Sequence, residues 1–357
     1  MNILIDIGHP AHVHLFRPFA HEMEEKGHRV LFTCRDKEFE IALLRAEGFD
    51  FISFGKKYAT KWGKMWGLLK FDWMEWRTCL RFKPDILLSH GSMYAAHAAW
   101  LCRRPHVSFE DTFNFEQIRL YEPFSSAILT ADYAHPAVSE KEIRYAGYHE
   151  LAYLHPRRFV PDHSVLDELG VKEGERYVLL RFVSWNATHD AGHKGMTMEN
   201  KRRAVQMFSR YARVFISSEK ELPGDLRAYK LPTPPERVHH VMAFSSLIFG
   251  ESATMVSEGV VLGVPGIYMD DTGRYYTREQ EQRYGLCFNY SESAEDQARA
   301  IEKGVEILSA PAFDRSGHER LLRDKIDVTG FLVDFVENYP QSVATMRNNP
   351  DSQYRFK

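Results

Sequence analysis

Short apolar runs alternate with helical patterns along the first half of the chain. The apolar runs predict strands at 3–7, 29–34, 85–89, 107–108 and 127–130. After the first run, and again over 38–47, apolar positions recur at helical spacing, and these two patterns end at Gly27 and Gly48. Strands that alternate with helices predict a parallel sheet covered on both faces.

The pattern breaks over 147–161, where Tyr, His, Pro and Arg follow one another without periodicity. It then resumes, with strands predicted at 177–183, 214–217, 247–249, 266–269 and 286–288, and helices notably over 255–262 and 295–308. A length of 357 residues suits two domains. We therefore expect an N-terminal domain over 1–150, a linker over 147–161, a C-terminal domain over 161–335 and a loosely held polar tail over 340–357.

Composition and charge narrow the class of protein. The formal net charge of −3 argues against broad nucleic-acid binding, which needs a basic surface. The four scattered cysteines form no CxxC pair and are typical of free thiols in a reducing compartment. The first residues are too short and too acidic for a signal peptide, and no apolar run reaches the ~18 residues of a membrane span. We expect a cytoplasmic protein.

The loop after the first predicted strand begins with Gly8 and carries His9, His12 and His14. In open α/β sheets, ligands bind outside the carboxyl ends of the strands, where this loop would lie. Imidazole titrates near neutral pH, so one of these histidines could act as a general base. The alternative is a hydrogen-bonded histidine cluster that only positions the loop. Neither a zinc-binding pattern nor a GxGxxG fingerprint is present.

Two further strand ends in the first half carry polar residues. His90 follows the run at 85–89, and Glu110 comes after the run at 107–108. An acid after a strand is more often a helix cap than a catalyst, which is the alternative for Asp111 and Thr112. We expect Glu110 to be the better catalytic candidate of the three.

In the second half, Arg181 and Ser184 follow the first predicted strand. A cation and a hydroxyl at a strand end suit phosphate recognition, although a polar surface loop would have the same composition.

The most specific motif follows the strand at 247–249. Ser252, Ala253 and Thr254 precede a helix, and small or hydroxyl residues there let backbone N–H groups and the helix dipole meet an anion. Glu258 lies about one turn further on, at a spacing that suits a carboxylate on ribose hydroxyls. Taken alone, the same residues would indicate only a helix cap.

Together these motifs resemble the GT-B proteins, which include UDP-N-acetylglucosamine 2-epimerases and many glycosyltransferases. The matching positions are Gly8 and Pro18 at the ends of the first loop, His90 with Ser92 in place of an epimerase aspartate, Glu110, Ser252 to Glu258, and Asp271 with Thr272. The first loop also resembles that of MurG-type glycosyltransferases. The nearest resemblance is to domain of unknown function 354. It implies an α/β protein of GT-B fold, with two Rossmann-like domains whose parallel sheets face a central cleft.

The resemblance implies a nucleotide-sugar ligand, with a UDP-linked sugar as donor and no permanently bound cofactor. Ser92 cannot replace an aspartate in proton chemistry, which favours a glycosyltransferase over an epimerase. No Asp-x-Asp motif ends a strand, so we expect no metal. His12 is the expected base, with His14 and Glu110 as fallbacks. The acceptor would be a glycan, a lipid-linked compound or a small molecule. The alternatives are a 2-epimerase-like enzyme and a non-catalytic nucleotide-sugar-binding protein.

The stretch over 56–83 mixes four tryptophans with lysines and arginines. Such a mixture suits peripheral contact with the inner face of a membrane. The favoured alternative is that the tryptophans pack onto the sheet at helical spacing.

Overall fold

The computed structural model describes residues 1–36, 39–56, 58, 60–172, 174–183, 195–218 and 221–357. The chain divides into two compact units. The first comprises Met1–Tyr153 and Lys325–Lys357, and the second comprises Leu154–Asp324.

Each unit is built on one sheet. The strands are β1 (Asn2–Ile7), β2 (Arg29–Asp36), β3 (Phe51–Lys56), β4 (Ile86–His90), β5 (His106–Glu110), β6 (Ala127–Ala131), β7 (Glu142–Tyr145), β8 (Tyr177–Phe182), β9 (Arg213–Ser218), β10 (Leu247–Gly250), β11 (Gly266–Met269) and β12 (Cys287–Tyr290).

Helices connect and cover the strands. They are α1 (Pro10–Glu25), α2 (Glu40–Ala46), α3 (Lys61–Phe82), α4 (Met93–Leu101), α5 (Phe115–Tyr121), α6 (Leu151–Leu154), α7 (Ser164–Leu169), α8 (Met198–Phe208), α9 (Val238–Ala243), α10 (Ala253–Val261), α11 (Tyr275–Gln282), α12 (Ala294–Ser309), α13 (Ser316–Asp324), α14 (Val328–Glu337) and α15 (Gln341–Asn348). Short 3₁₀ helices span Glu122–Phe124, Arg227–Tyr229, Pro235–Arg237 and Pro350–Phe356.

The sheet of the first unit is parallel, in the order β3-β2-β1-β4-β5-β6-β7. Its central strands are buried, and Leu4 of β1 pairs with Leu31 on one side and Leu87 on the other. The strand order reverses between β1 and β4. Ligands of open α/β sheets bind outside the carboxyl ends of the strands at such a point. In this unit that point holds the loop from Gly8 and the turn after His90.

The second unit has a parallel sheet in the order β12-β11-β10-β8-β9. Its reversal lies between β8 and β10, where Arg181 pairs in register with Gly250. The predicted strands are all present, with ends shifted by a few residues. The strands β3 and β7 were not predicted because each mixes polar and exposed positions at or near a sheet edge.

The expected C-terminal boundary and the loose tail differ from the structure. The chain from Lys325 onward returns to the first unit, and residues 340–357 are largely helical. Gln353 accepts a 2.6 Å hydrogen bond from the backbone N–H of Ala146, and the ring of Phe356 packs edge-on against Phe331. These long-range contacts order a segment whose polar composition indicates a tail.

None of the helices in the described part of the chain combines the length and the apolar character needed to cross a bilayer.

Candidate functional site

The histidine-rich loop lies between β1 and α1. Hydrogen bonds from backbone N–H groups to its imidazole rings hold it in place. His9 caps the helix, because its Nδ1 accepts a 3.1 Å hydrogen bond from the N–H of Ala11. The N–H of Gly8 donates to Nδ1 of His12 over 3.2 Å. His14, one position beyond Val13, is half-buried with its ring 5.6 Å from that of Tyr153. The loop is therefore shaped by its own imidazoles, and one imidazole also faces a second cluster.

That imidazole belongs to His12, whose ring stacks on His90 at a centroid distance of 4.5 Å. Burial, followed by the charges of His90 and His9, lowers the pKa of His12 well below its ordinary value. A neutral ring is therefore expected at physiological pH. Because Nδ1 accepts from Gly8, the single proton of the neutral ring lies on Nε2. His12 is arranged as a hydrogen-bond donor, and this contact argues against the expected role of His12 as the base.

A carboxylate joins two histidines beside this ring. Asp111 lies 2.9 Å from Nε2 of His90 through one oxygen and 3.1 Å from Nδ1 of His149 through the other. Burial would raise the pKa of Asp111, but His149 and His90 outweigh it and hold that pKa well below its usual range. Burial would likewise lower the pKa of His90, and Asp111 reverses the direction. Asp111 is thus ionised and orients both rings, rather than serving as the helix cap considered from sequence.

His149 was missed by the sequence analysis, since it lies in the segment 147–161 that was expected to be a linker. A carboxylate can only accept, so Nδ1 of His149 carries a proton and Nε2 is free of one in the neutral ring. Nε2 is buried and has no hydrogen-bond partner among the described residues. A buried polar atom of this kind needs a water or ligand to complete it. Only the histidine content of the segment could have indicated the site.

The same cluster offers donor atoms for a cation. Atoms of His90, Asp111 and His149 lie within 4.8 Å of one another, close enough to surround a divalent metal ion. The two oxygens of Asp111 already have hydrogen-bond partners in His90 and His149 without a cation. The expectation that no metal is needed therefore stays a prediction.

Glu110 is held by hydrogen bonds from the turn that follows it and from the end of α5. It is buried, and one of its oxygens accepts from the N–H groups of Thr112 and Phe113 over 2.8 Å each. The other accepts from the hydroxyl of Tyr121 over 2.5 Å. With both oxygens engaged, Glu110 stabilises the turn after β5, and this arrangement disfavours the expected role as a fallback base.

A buried ion pair joins β1 and β2 close to the site, and the sequence analysis did not predict it. Asp6 of β1 pairs with Arg35 of β2, and it accepts hydrogen bonds from Thr33 and from Ser92. Burial, and then the charge of Asp6, raise the pKa of neighbouring Glu75 well above its ordinary value. The sequence did indicate such a pair, because it places charged residues within or at the end of apolar strands. Charged side chains in such positions are rarely buried unless they are paired. Ser92 is thereby fixed as the cap of α4.

In the second unit, Ser252 caps α10 by accepting from the N–H of Met255, and Ala253 and Thr254 form the first turn. The preceding Gly250 is required because a Cβ there would lie 2.1 Å from the carbonyl oxygen of Arg181. This close packing brings the first turn of α10 next to β8.

Glu258, one turn into α10, is buried with 5% of its surface exposed. Its carboxylate lies 2.9 Å from Nε2 of His239. Glu258 is therefore part of the buried interior of the second unit, and its contact with ribose stays a prediction.

Glu251 contacts the residue that follows β8 and residues before and within α8. Its carboxylate accepts from the N–H groups of Val183 and Met196 and pairs with Lys201 at 3.2 Å. Ser184, a predicted site residue, lies outside the described residues. Arg181 donates through Nη1 to Ser217 over 3.1 Å.

The loop after β11 places Asp271 and Thr272 at the surface. Asp271 accepts from the N–H of Glu292 over 2.7 Å, and the N–H of Thr272 donates to Asp270 over 2.7 Å. Both predicted residues therefore lie at the carboxyl end of the second sheet.

Solved structures of similar fold cover nearly the whole chain. UDP-GlcNAc 2-epimerase from Neisseria meningitidis, solved with UDP-GlcNAc, has a TM-score of 0.66 at 14% identity, over 94% of this chain and 99% of that one. MnaA of S. aureus, solved with UDP, has a TM-score of 0.67 at 12% identity over 96% and 97%. The glycosyltransferase VinC, solved with dTDP, has a TM-score of 0.61 at 11% identity over 96% and 100%. These likenesses show that the fold is GT-B.

No curated protein sequence matches the chain. One family model matches residues 1–272, and it is described as a protein of unknown function. That match spans well over half of the chain, so the protein belongs to the DUF354 family.

Proposed function

We propose that this protein is a nucleotide-sugar-dependent glycosyltransferase that uses a UDP-linked donor and needs neither a metal ion nor a permanently bound cofactor. The acceptor would be a glycan, a lipid-linked compound or a small molecule. One observation carries the proposal, namely the buried Nε2 of His149, whose other ring nitrogen, Nδ1, is bonded to the ionised Asp111. A carboxylate that orients an imidazole in this way is a common arrangement for a general base.

The second unit supports a donor site. The proteins of similar fold were solved with UDP-GlcNAc, UDP and dTDP. The first turn of α10, at Ala253 and Thr254, follows a tightly packed glycine and offers a helix N-terminus, which attracts phosphate. Arg181 on the neighbouring strand would add a positive charge. We assign Glu258, oriented by His239, to the ribose hydroxyls.

The proposed reaction is a displacement at the anomeric carbon. An acceptor hydroxyl oxygen forms a bond to C1 of the sugar, the bond from C1 to the diphosphate oxygen breaks, and nucleoside diphosphate leaves with the electron pair. The hydroxyl proton passes to Nε2 of His149 through the water that completes this buried nitrogen, and Asp111 stabilises the imidazolium that forms. The Nε2–H of His12 would donate a hydrogen bond to a substrate oxygen.

The contacts of the carboxylates disfavour epimerisation. That reaction removes a proton from carbon. The epimerases that this chain resembles have acidic residues at the positions of Ser92 and Glu110. Ser92 bears no carboxylate, and Asp6 beside it is paired with Arg35. Both oxygens of Glu110 already accept hydrogen bonds, from Thr112 and from Tyr121 among others.

Turnover with a panel of UDP-, dTDP- and GDP-sugars, with and without glycan acceptors, tests the proposal. Acceptor-dependent release of nucleoside diphosphate, measured by a coupled assay, is the expected result. An altered sugar still bound to its nucleotide, detected by NMR, would make the protein an epimerase. Tight binding by calorimetry without either product would make it a nucleotide-sugar-binding protein.

A further inference from the structure

One face of α3 exposes large apolar side chains. Trp66, Leu69, Trp73 and Leu80 are 62%, 61%, 51% and 50% exposed. Their spacing of three, four and seven residues places them along one side of the helix. The reading that these tryptophans pack onto the sheet is thus wrong for Trp66 and Trp73. Contiguous exposed apolar side chains of this size mark an interaction surface.

Positive charge lies on the same side of this helix. Arg77 and Arg81 are exposed, and the guanidinium of Arg77 lies 5.0 Å from the centre of the Trp73 ring. The two acids of α3 are engaged elsewhere, since Asp72 bonds to His97 and Glu75 is buried against Thr33. The exposed face therefore combines apolar side chains with cations and carries no acid of its own helix.

A cavity adjoins this face. It has a volume of about 420 Å³ and lies between α3 and the strands β2 and β3, at the edge of the first sheet. Its lining includes Leu31, Ile52, Phe54 and Trp73, together with Arg77 and Arg81. An apolar pocket with a few polar groups is the usual form of a small-molecule site. Here the polar groups include two guanidinium groups, which suit phosphate.

We propose that this face of α3 and the adjoining cavity bind anionic phospholipid and seat the protein on a membrane surface. The tryptophan and leucine side chains enter the interface, where amphipathic helices with basic flanks lie. Arg77 and Arg81 contact lipid phosphate, and the cavity receives part of a hydrocarbon chain. The inference stands apart from the proposed glycosyl transfer, because it concerns a different surface of the first unit and is measured without turnover.

Charge favours lipid over a second copy of the chain. A symmetric dimer formed through this face would bring the same surface of each copy together, with Arg77 and Arg81 of both copies in one interface. Like charges close to one another are unfavourable. A negatively charged lipid surface pairs with every cation of the face.

Flotation of the full chain with vesicles tests the proposal. Vesicles of phosphatidylcholine with phosphatidylglycerol should carry the protein, vesicles of phosphatidylcholine alone should not, and added salt should weaken binding. Each arginine near such a surface contributes about 1 kcal/mol, so Arg77→Gln with Arg81→Gln should weaken binding about thirtyfold. Trp66→Ser should weaken it at least tenfold.

A matched double variant on the second unit, Tyr211→Ser with Arg227→Gln, changes an exposed aromatic ring and an exposed cation and should bind vesicles like the parent protein. All the substituted side chains are exposed, and an unchanged melting temperature would show that the fold is retained. Equal binding to neutral and anionic vesicles, or no effect of the α3 substitutions, would overturn the proposal. So would a dimer, detected by light scattering, that dissociates on Trp66→Ser while no vesicle is bound.

Discussion

Asp111 lies 3.1 Å from Nδ1 of His149, a residue that follows β7, two strands beyond the end of β5 where Asp111 lies. The contact decides which nitrogen of His149 carries the proton, and it leaves Nε2 as the group that can accept one. His12 has the opposite arrangement, because Gly8 donates to its Nδ1. The hydrogen-bond partners of the two histidines therefore favour different roles, a proton acceptor for His149 and a hydrogen-bond donor for His12.

This difference predicts different effects of substitution. His149→Gln should lower turnover by about 10²–10⁴, the usual effect of losing a general base, with little change in nucleotide affinity. His12→Gln keeps an N–H donor and should lower turnover less. The measurement is the rate of nucleoside diphosphate release with saturating donor.

His97→Gln is the control for His149→Gln, because His97 forms a similar pair with Asp72 away from the cluster and its loss should leave the rate unchanged. If His12→Gln abolishes turnover while His149→Gln retains it, the base is His12 as expected from sequence.

Removal of metal should not affect the reaction. The carboxylate of Asp111 already has hydrogen-bond partners in His90 and His149, so a metal ion is not needed to occupy its oxygens. Activity after prolonged dialysis against EDTA should equal that of the untreated protein, and elemental analysis should find no stoichiometric metal. Loss of activity that Zn²⁺ or Mn²⁺ restores in the parent protein, but not in Asp111→Asn, would assign the three side chains as metal ligands.

Glu258→Gln should weaken nucleotide binding while preserving the volume of the side chain. Loss of the hydrogen bonds of a charged group costs about 1.5–3 kcal/mol, which is roughly tenfold to a hundredfold in affinity. Calorimetric titration with UDP measures it.

Because Glu258 is buried against His239, the melting temperature should be followed in parallel, and Glu258→Ala should lower it more than Glu258→Gln does. An affinity for UDP that is unchanged in a folded Glu258→Gln protein would contradict the assignment to ribose.

His106 should make the first unit sensitive to acid. Its two ring nitrogens bond to the buried hydroxyl groups of Ser89 and Ser125, and burial lowers its pKa to about 3. The unfolded chain takes up this proton near the ordinary pKa of about 6.5, whereas the folded chain does not. The stability contribution is complete above about pH 6.5 and is lost as the pH falls toward about 3, by up to about 1.4 kcal/mol per pH unit.

Urea unfolding of the parent protein and of His106→Gln at several values of pH between these limits measures the difference. The free energy of unfolding of His106→Gln should fall less steeply with acid, because the variant lacks the titrating ring. Parallel pH profiles for the two proteins would show that His106 does not take part.

The sequence alone determined the positions of the described strands other than β3 and β7, and the loops that carry the candidate site residues. Apolar runs of strand length must be buried, and parallel strands place their carboxyl ends at one edge of a sheet, so Gly8, His90 and Ser252 could be assigned to strand ends. These inferences depend on neighbours along the chain. The same holds for Ser252 as the cap of α10.

Only the tertiary structure decided which residues meet. The pairs Asp111 with His149 and Glu258 with His239 join residues far apart in the sequence, and hydrophobic periodicity carries no information about such partners. The state of an imidazole depends on these contacts and on burial, which is why His12 was expected to be the base and His149 was missed. The segment after Lys325 shows the same limit, since its polar composition indicates a tail, whereas long-range contacts such as that of Gln353 with Ala146 hold it on the first unit.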